Sequence, residues 1–361
     1  RRTAKLPTSE TDEGLDGFAT ASAVARLRSE RDAARASSSR MESELLRLET
    51  ELGLFRGLSR KQPKPPKWLS PKRPKSKKSA TICTILSDTH FDEVVRPEEI
   101  GSVNAYNREI AEQRLKRFFE KTVLLTRDYL AGLSYDGIVL FLGGDLFSGD
   151  IHEELTETNE DTMLGSVLHW SGRLAAGITL LAEEFGKVHV PCVVGNHGRR
   201  TRKPRAKLRA RDNFDWFVAH QLRSLLKDDK RVTFQIPEGT DALVEVHGTR
   251  YLLTHGDQAR GGQGIGGLWP PLLRMRAKKL QNYEAMGTPF DIMVVGHWHT
   301  LIQAASNGLI VNGSLKGFEE FSQTMNFAFE PPQQALWVTV PKNGVVWQAP
   351  VLVGNRRTEG W

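Results

Sequence analysis

Eight residues able to bind metal or move protons stand at the ends of apolar runs. They are Asp88, His90, Asp145, Asn196, His197, His255, His297 and His299. The run TICTILS is followed by Asp88-Thr89-His90, GIVLFLGG by Asp145, and VPCVVG by Asn196-His197. RYLLT leads into His255, and FDIMVVG into His297-Trp298-His299. One such residue behind a strand means little. Five motifs in succession, taking five of the ten histidines, point to a single site. His152, His169, His189, His220 and His247 fall outside the motifs and read as core or surface histidines.

Mixed carboxylate, imidazole and amide ligands suit borderline or hard divalent ions rather than ions that favour thiolates. Asp88, His90, Asp145, Asn196, His255, His297 and His299 are too many ligands for one ion. They fit two ions sharing a bridging carboxylate. Two such ions can activate a hydroxide and clamp a phosphoryl group for in-line attack. The expected cofactors are two divalent ions, Mn2+ first, with Fe, Zn, Ni or Mg as alternatives.

The elements that must hold these residues follow from the patterning. Helix-like stretches at about 104–130 and 161–185 separate the first three apolar runs. This β–α–β–α–β order predicts a buried parallel sheet. The carboxyl ends of its strands line one crevice. From Arg231 onward the rhythm shortens. VTFQI, ALVEV, LIQAA, LIVNG, ALWVTV and VVWQAPVLV predict a second, largely antiparallel sheet. The expected fold class is α/β: a four-layer α/β/β/α sandwich of two mixed sheets, with an N-terminal helical, coiled-coil extension.

Over residues 81–315 the order D-x-H, G-G-D, G-N-H, H, G-H-x-H resembles the calcineurin-like metallophosphoesterases. Val311-Asn312-Gly313-Ser314 is similar to the strand and turn that follow the family's last ligand motif. The resemblance implies two facing sheets flanked by helices. It implies Asp88, His90 and His299 on one metal, Asp145 bridging, and Asn196, His255 and His297 on the second. His197 would contact the phosphate and protonate the leaving group, so His197 and Asn196 are the catalytic candidates. Many members place an acid after the G-N-H histidine. Here Gly198, Arg199 and Arg200 follow. Either a carboxylate from elsewhere orients His197, or an arginine shares the phosphate-binding work.

Charge narrows the substrate. The chain has 361 residues and a net charge of +7, unevenly placed. Residues 1–80 carry 19 basic and 10 acidic side chains, and the remainder 31 and 33. Residues 1–20 read as a disordered tail. Residues 21–57 read as a helix whose seam, from Val24 and Leu27 through Met41, Leu45, Leu48 and Leu52 to Phe55, has coiled-coil spacing. That seam, within 24–55 and polar in its middle at Arg31 and Ser38, predicts a homo-oligomer, the alternative being a single amphipathic helix lying on its own domain. Residues 58–79 form a basic linker rich in proline and lysine, and 80–361 the phosphoesterase domain. Within 56–78 lie ten basic residues, no acid, and Trp68, which could stack on a base. Residues 199–211 hold eight basic residues and no acid, directly behind the third motif. Both segments favour nucleic acid as partner, with Arg199, Arg200, Arg202, Lys203 and Arg205 as substrate contacts. GGDLFSGD also resembles the second motif of a nuclease branch of the family. A nuclease or phosphodiesterase is the expected activity. The alternative is a phosphomonoesterase or Ser/Thr-type protein phosphatase. The intact ligand set argues against a non-catalytic scaffold.

The two cysteines, Cys83 and Cys192, sit inside apolar runs and read as buried thiols, which excludes a disulfide framework. No apolar run approaches the roughly 18 residues of a membrane span. The opening RRTAKLPTSE lacks the apolar stretch of a secretory signal. A cytoplasmic location without membrane contact is expected.

Overall fold

The computed structural model describes residues 24, 26–47, 79–130, 132–261 and 267–361. The chain divides into two units, residues 1–62 and 63–361. In the first, residues 26–47 are helical (α1). The expected tail, the seam beyond position 47 and the basic segment 56–78 lie outside the described residues. Among the described residues no helix is long and apolar enough to cross a membrane.

The second unit carries eleven described strands: β1 (Ser79–Leu86), β2 (Ser134–Leu142), β3 (Val188–Pro191), β4 (Val232–Gln235), β5 (Asp241–Val246), β6 (Thr249–Thr254), β7 (Ile292–Val295), β8 (Ile302–Ala304), β9 (Leu309–Val311), β10 (Gln333–Val340) and β11 (Gly344–Leu352). Its helices are α2 (Arg108–Arg127), α3 (Glu153–Thr158), α4 (Met163–Phe185), α5 (Phe214–Leu225), α6 (Trp269–Ala285), α7 (Glu320–Thr324) and α8 (Arg356–Glu359). One sheet has the order β11-β10-β1-β2-β3-β4, and the other β5-β6-β7-β9-β8.

The helices between β1, β2 and β3 form because each has an apolar stripe and a polar start. Asn107 caps α2 by accepting from the Ile110 N–H, and Thr162 caps α4 by accepting from Gly165. Gly186, in the left-handed region at φ 74°, ends α4.

The two sheets differ from expectation in membership. VTFQI (β4) pairs in parallel with β3, because α5 brings the chain back across the sheet. ALWVTV (β10) pairs antiparallel with β1 through Thr81 opposite Thr339, and VVWQAPVLV (β11) adds outside it. The first sheet is therefore mixed. The second is mixed too rather than largely antiparallel: β6, β7 and β9 run parallel, and β5 and β8 antiparallel at its edges.

Three apolar clusters define four layers. Ile82, Leu86, Ile138 and Leu140 pack against Phe118 of α2 and Trp170, Leu174 and Ile178 of α4. Cys83, Ile85, Val139, Phe141 and Trp337 face Val244, Tyr251, Leu253, Val294 and Ile310 of the second sheet. Leu252, Met293, Val295 and Leu309 pack against Leu272 and Met275 of α6. Alternate residues of β1, β6 and β7 thus go to opposite layers, as strand pleating requires. Each large apolar side chain buried this way contributes about 1.5–3 kcal/mol. The described fold is an α/β/β/α sandwich.

Candidate metal centre

All eight motif residues sit just beyond strand carboxyl ends. β1 ends at Leu86, β2 at Leu142 and β3 at Pro191, and they deliver Asp88 and His90, Asp145, then Asn196 and His197. The second sheet contributes His255 beyond β6 and His297 and His299 beyond β7. Because β1, β2 and β3 run parallel, as do β6 and β7, these ends share one edge of the sandwich.

The backbone at this edge is unusual. Asp88 (φ 53°), His90 (φ 44°), Asp145 (φ 50°), His297 (φ 68°) and His299 (φ 51°) all occupy the left-handed region. Non-glycine residues there carry strain, and persist only when their surroundings hold them. Two motif glycines are required by close approach. A Cβ on Gly195 would run into the Asp145 carboxylate, and one on Gly296 into that of Asp88.

Two groups of potential ligands result. Asp88, His90 and His299 form one, and Asp145, His255 and His297 the other, with donor atoms in each within 4.8 Å of one another. A third overlapping group, His90, Asp145 and His197, joins them. Asp145 Oδ2 lies 2.9 Å from His255 Nε2, while its Oδ1 accepts the His197 backbone N–H at 2.6 Å. Asn196 Oδ1 stands 3.2 Å from the same His255 nitrogen. On the other side His90 Nε2 and His299 Nε2 approach to 3.1 Å, and Asp88 Oδ1 lies 3.6 Å from His299. Asp88 Oδ1 also accepts the His297 N–H at 2.8 Å, and Ser87 Oγ donates to its Oδ2.

The electrostatics are those of a cation site. Burial raises the Asp88 carboxyl to about 7, even against the pull of His255. Burial also pushes Asp145 upward, but His255 and His197 outweigh it and hold its carboxyl well below the usual range. Burial opposes charge on His255, yet contact with Asp145 raises it to about 10. Burial lowers His297 to about 4. It also drives His90 and His299 well down, helped by Lys316 beside His90 and by His90 beside His299. Protons thus sit where acids crowd, and neutral imidazoles face one another with ring nitrogens 3.1 Å apart. With the His255 proton displaced, that set of buried oxygen and imidazole nitrogen donors fits divalent ions.

Their supports fit too. A metal-binding histidine commonly donates its other N–H to a carbonyl or carboxylate. His255 Nδ1 faces the Gly143 carbonyl at 2.8 Å, which turns Nε2 toward Asp145 and Asn196. The buried His90 Nδ1 lies 3.4 Å from Glu93 Oε2, and neither atom has a hydrogen bond among the described residues. Lys316 Nζ holds the other Glu93 oxygen at 2.7 Å.

His197 differs from expectation in its orienting partner. Its Nδ1 lies 2.7 Å from the Ser148 carbonyl, so a backbone carbonyl orients it and not a carboxylate. The carbonyl fixes the proton on Nδ1 and leaves Nε2 for chemistry. His197 packs edge-on against His90 at 4.5 Å, and the exposed His152 ring comes to 5.8 Å.

The basic loop 199–211 is partly neutralised. Arg199 donates to the carbonyls of Asn196, Thr201 and Arg202. Arg200 pairs with Asp212, Arg202 with Glu153, Arg209 with Asp257 and Arg211 with Glu238. Lys203, Arg205 and Lys207 are exposed, with no ion pair to a described residue. A cleft runs from Asn196 to this loop, lined by Arg199, Arg205, Lys207 and Asp257.

The turn Val311-Asn312-Gly313-Ser314 supports the first motif, and one supporting residue, Asp215, lies outside every motif. Asn312 donates to Ser87 Oγ at 2.8 Å, and Ser314 Oγ donates to the Asp88 carbonyl at 2.8 Å. Asp215, on α5, accepts backbone N–H groups near both Asp145 and Asn196. Its sequence signal, Asn213 two residues before an acid, marks a helix start and nothing more.

A scan against protein-family models and a search of curated proteins find no match. A search of solved structures returns vacuolar protein sorting 29 from Cryptosporidium parvum, 13% identical, with 75% of this chain and 97% of that chain covered and a TM-score of 0.32. It also returns a dimetal phosphatase from Danio rerio, 9% identical, with 76% and 99% covered and a TM-score of 0.32. A third is the sulfate thiohydrolase SoxB of Thermus thermophilus in complex with glycerol: 11% identity, 78% and 57% covered, TM-score 0.30. Similarity at this level carries no weight beside the chain's own architecture. Two mixed sheets packed face to face between helices, with five ligand motifs in order along one edge, form the α/β/β/α sandwich that the resemblance of the motif order to the calcineurin-like metallophosphoesterases implies.

Proposed function

We propose that the protein is a metal-dependent phosphoesterase that hydrolyses phosphodiesters of nucleic acid. The observation that carries the hydrolytic reading is the joining of two ligand groups, Asp88, His90 and His299 on one side and Asp145, His255 and His297 on the other, by the third group of His90, Asp145 and His197. Asp88, His90 and His299 would hold one divalent ion, Asn196, His255 and His297 the other, and Asp145 both. Such ions, when bound, supply Lewis acidity to a phosphoryl group and lower the pKa of water.

The chain's own residues do the rest. Asp145 is kept ionised by its imidazole neighbours and fixed by the His197 N–H. Asn196 is aligned through the His255 imidazole. His197, held through Nδ1–H on the Ser148 carbonyl, presents Nε2 to the departing oxygen; in the doubly protonated imidazolium form it would give that oxygen the Nε2 proton and revert to the neutral ring. The diester preference rests on the exposed Lys203, Arg205 and Lys207 beside the cleft. The pairing of Arg200, Arg202, Arg209 and Arg211 favours a second reading, a phosphomonoesterase that needs no extended polyanion.

With Mn2+ added, the purified chain should hydrolyse bis-p-nitrophenyl phosphate faster than the mono-ester, and cut labelled single- or double-stranded DNA or RNA. Hydrolysis of the mono-ester and a phosphopeptide, with no binding or cutting of nucleic acid at low salt, would replace the first reading with the second. No hydrolysis of any ester with any divalent ion would sink both.

A further inference from the structure

The loops carrying Asp145 and Asn196 leave the sheet before they reach the site. The β2–β3 ladder runs through Ile138 and Val139, opposite Val188 and His189. A last bridge joins Leu142 to Cys192, with the Val193 N–H donating to the Leu142 carbonyl at 2.9 Å. Beyond it no ladder fixes one loop against the other.

A side chain from elsewhere takes over. Asp215 Oδ2 accepts the backbone N–H of Asp145 at 3.0 Å and that of Gly195 at 2.9 Å. Its Oδ1 accepts the N–H of Leu146 at 3.2 Å. One carboxylate thus ties the residue before Asn196 to Asp145 itself, whose φ of 50° needs external support. Asp215 is 3% exposed, and its helix is docked on the same loop. Asn213 caps α5 at the Asp215 N–H and donates to the Gly195 carbonyl at 2.8 Å, while the Phe214 N–H donates to Gly198 at 2.7 Å. Gly198 leaves the room: a Cβ there would meet the Asn213 side chain and come within 3.1 Å of the Asp215 carboxylate.

We infer that Asp215 is a positioning residue: its carboxylate clamps the Asp145 and Asn196 loops together, so that these two ligand-bearing loops are in place before any ion binds. This rests on the two-metal reading above. A carboxylate accepting several backbone N–H groups is a strong, charge-assisted fastener. Its amide counterpart cannot replace it, because an NH2 group would oppose an N–H.

Asp215→Asn and Asp215→Glu are compared with wild type by amide hydrogen exchange of the metal-free chain, by Mn2+ calorimetry, and by steady-state kinetics on bis-p-nitrophenyl phosphate. In Asp215→Asn the amides of Asp145, Leu146 and Gly195 should lose protection together while the β1 and β2 amides keep theirs. Mn2+ affinity should fall about 10–100-fold, the range seen when supports of metal ligands are removed. The fall in kcat should exceed any change in KM, and Mn2+ in excess should partly restore it. Should Asp215→Asn fail to fold, Asp215→Glu, which keeps the carboxylate but displaces it, carries the same three readouts. Unchanged protection of the three amides overturns the clamp. Lost protection with Mn2+ affinity and kcat unchanged overturns its role in positioning. A wild-type chain that binds no Mn2+ overturns the two-metal reading instead, and with it the claim that the clamp serves ligands.

Discussion

At the residue scale the site depends on where charge is tolerated. Asp145 is the acid held ionised in a buried place, and with His90 and His197 it joins the two ligand groups. Asp145→Asn should cut turnover at least about 10²-fold and lower the bound Mn2+ count with the fold intact. Metal analysis and circular dichroism on one sample check this. His197 is held by its backbone N–H and by Nδ1, so His197→Ala should spare most of the metal. General acids contribute about 10²–10⁴-fold. The loss should be large for an alkoxide leaving group and small for p-nitrophenolate. Equal losses for the two would remove His197 from the proton-donor role. The eight motif residues were legible because each follows an apolar run, and strands announce themselves by composition. Asp215 was not, because it binds backbone N–H groups, which leave no trace in side-chain type.

Helices and strands were legible to the extent that their partners are local. The stretches 104–130 and 161–185 contain α2 and α4, whose stripes and caps lie within the segment. The sheet joined by β10 and β11 could not be read, since pairing β1 with β10 links residues some 250 positions apart. The last element shows what such distant contacts hold. Glu359 of α8 meets Arg114 of α2 at 2.9 Å, both side chains fully buried, and Arg117 joins them. Burial opposes its charge, but these arginines hold its carboxyl near 2 instead of the usual 4.5. A depressed carboxyl stabilises the fold above its ordinary pKa, and that stability is lost as pH falls through the folded value. Glu359→Gln should therefore destabilise the chain at pH 7 by up to about 3 kcal/mol, the scale of breaking one partner of a buried pair. The gap from wild type should narrow below pH 4.5 and close near pH 2 in thermal unfolding. A gap that is constant with pH would show that the charge of Glu359 is not what matters.

For the whole molecule, two segments reach beyond the catalytic chemistry. If nucleic acid is the substrate, each phosphate contact contributes about 0.7–0.9 to the slope of log affinity against log salt. Replacing Lys203, Arg205 and Lys207 with Ser should lower that slope by about 2–3 and leave bis-p-nitrophenyl phosphate hydrolysis unchanged. An unaltered slope would place the contacts elsewhere. The 24–55 seam predicts self-association, and its described part, 26–47, is helical. Leu45→Glu with Leu48→Glu should reduce the mass in light scattering toward the 40.5 kDa of one chain, sparing small-ester hydrolysis. A wild-type chain already at that mass would exclude the coiled coil.

The left-handed backbone of Asp88, His90, Asp145, His297 and His299 gives this site an inverted tolerance to change. In an ordinary core, glycine is among the least welcome replacements. Here it relieves the backbone while deleting the ligand, so Gly at these five positions should be gentler on stability than Ala, and both fatal to turnover. Random mutagenesis scored for folding alone would drift toward losing the site. Scored for hydrolysis, it would find the same five positions closed. The edge that would do the chemistry is thus the part of the molecule where stability and function draw the sequence in opposite directions.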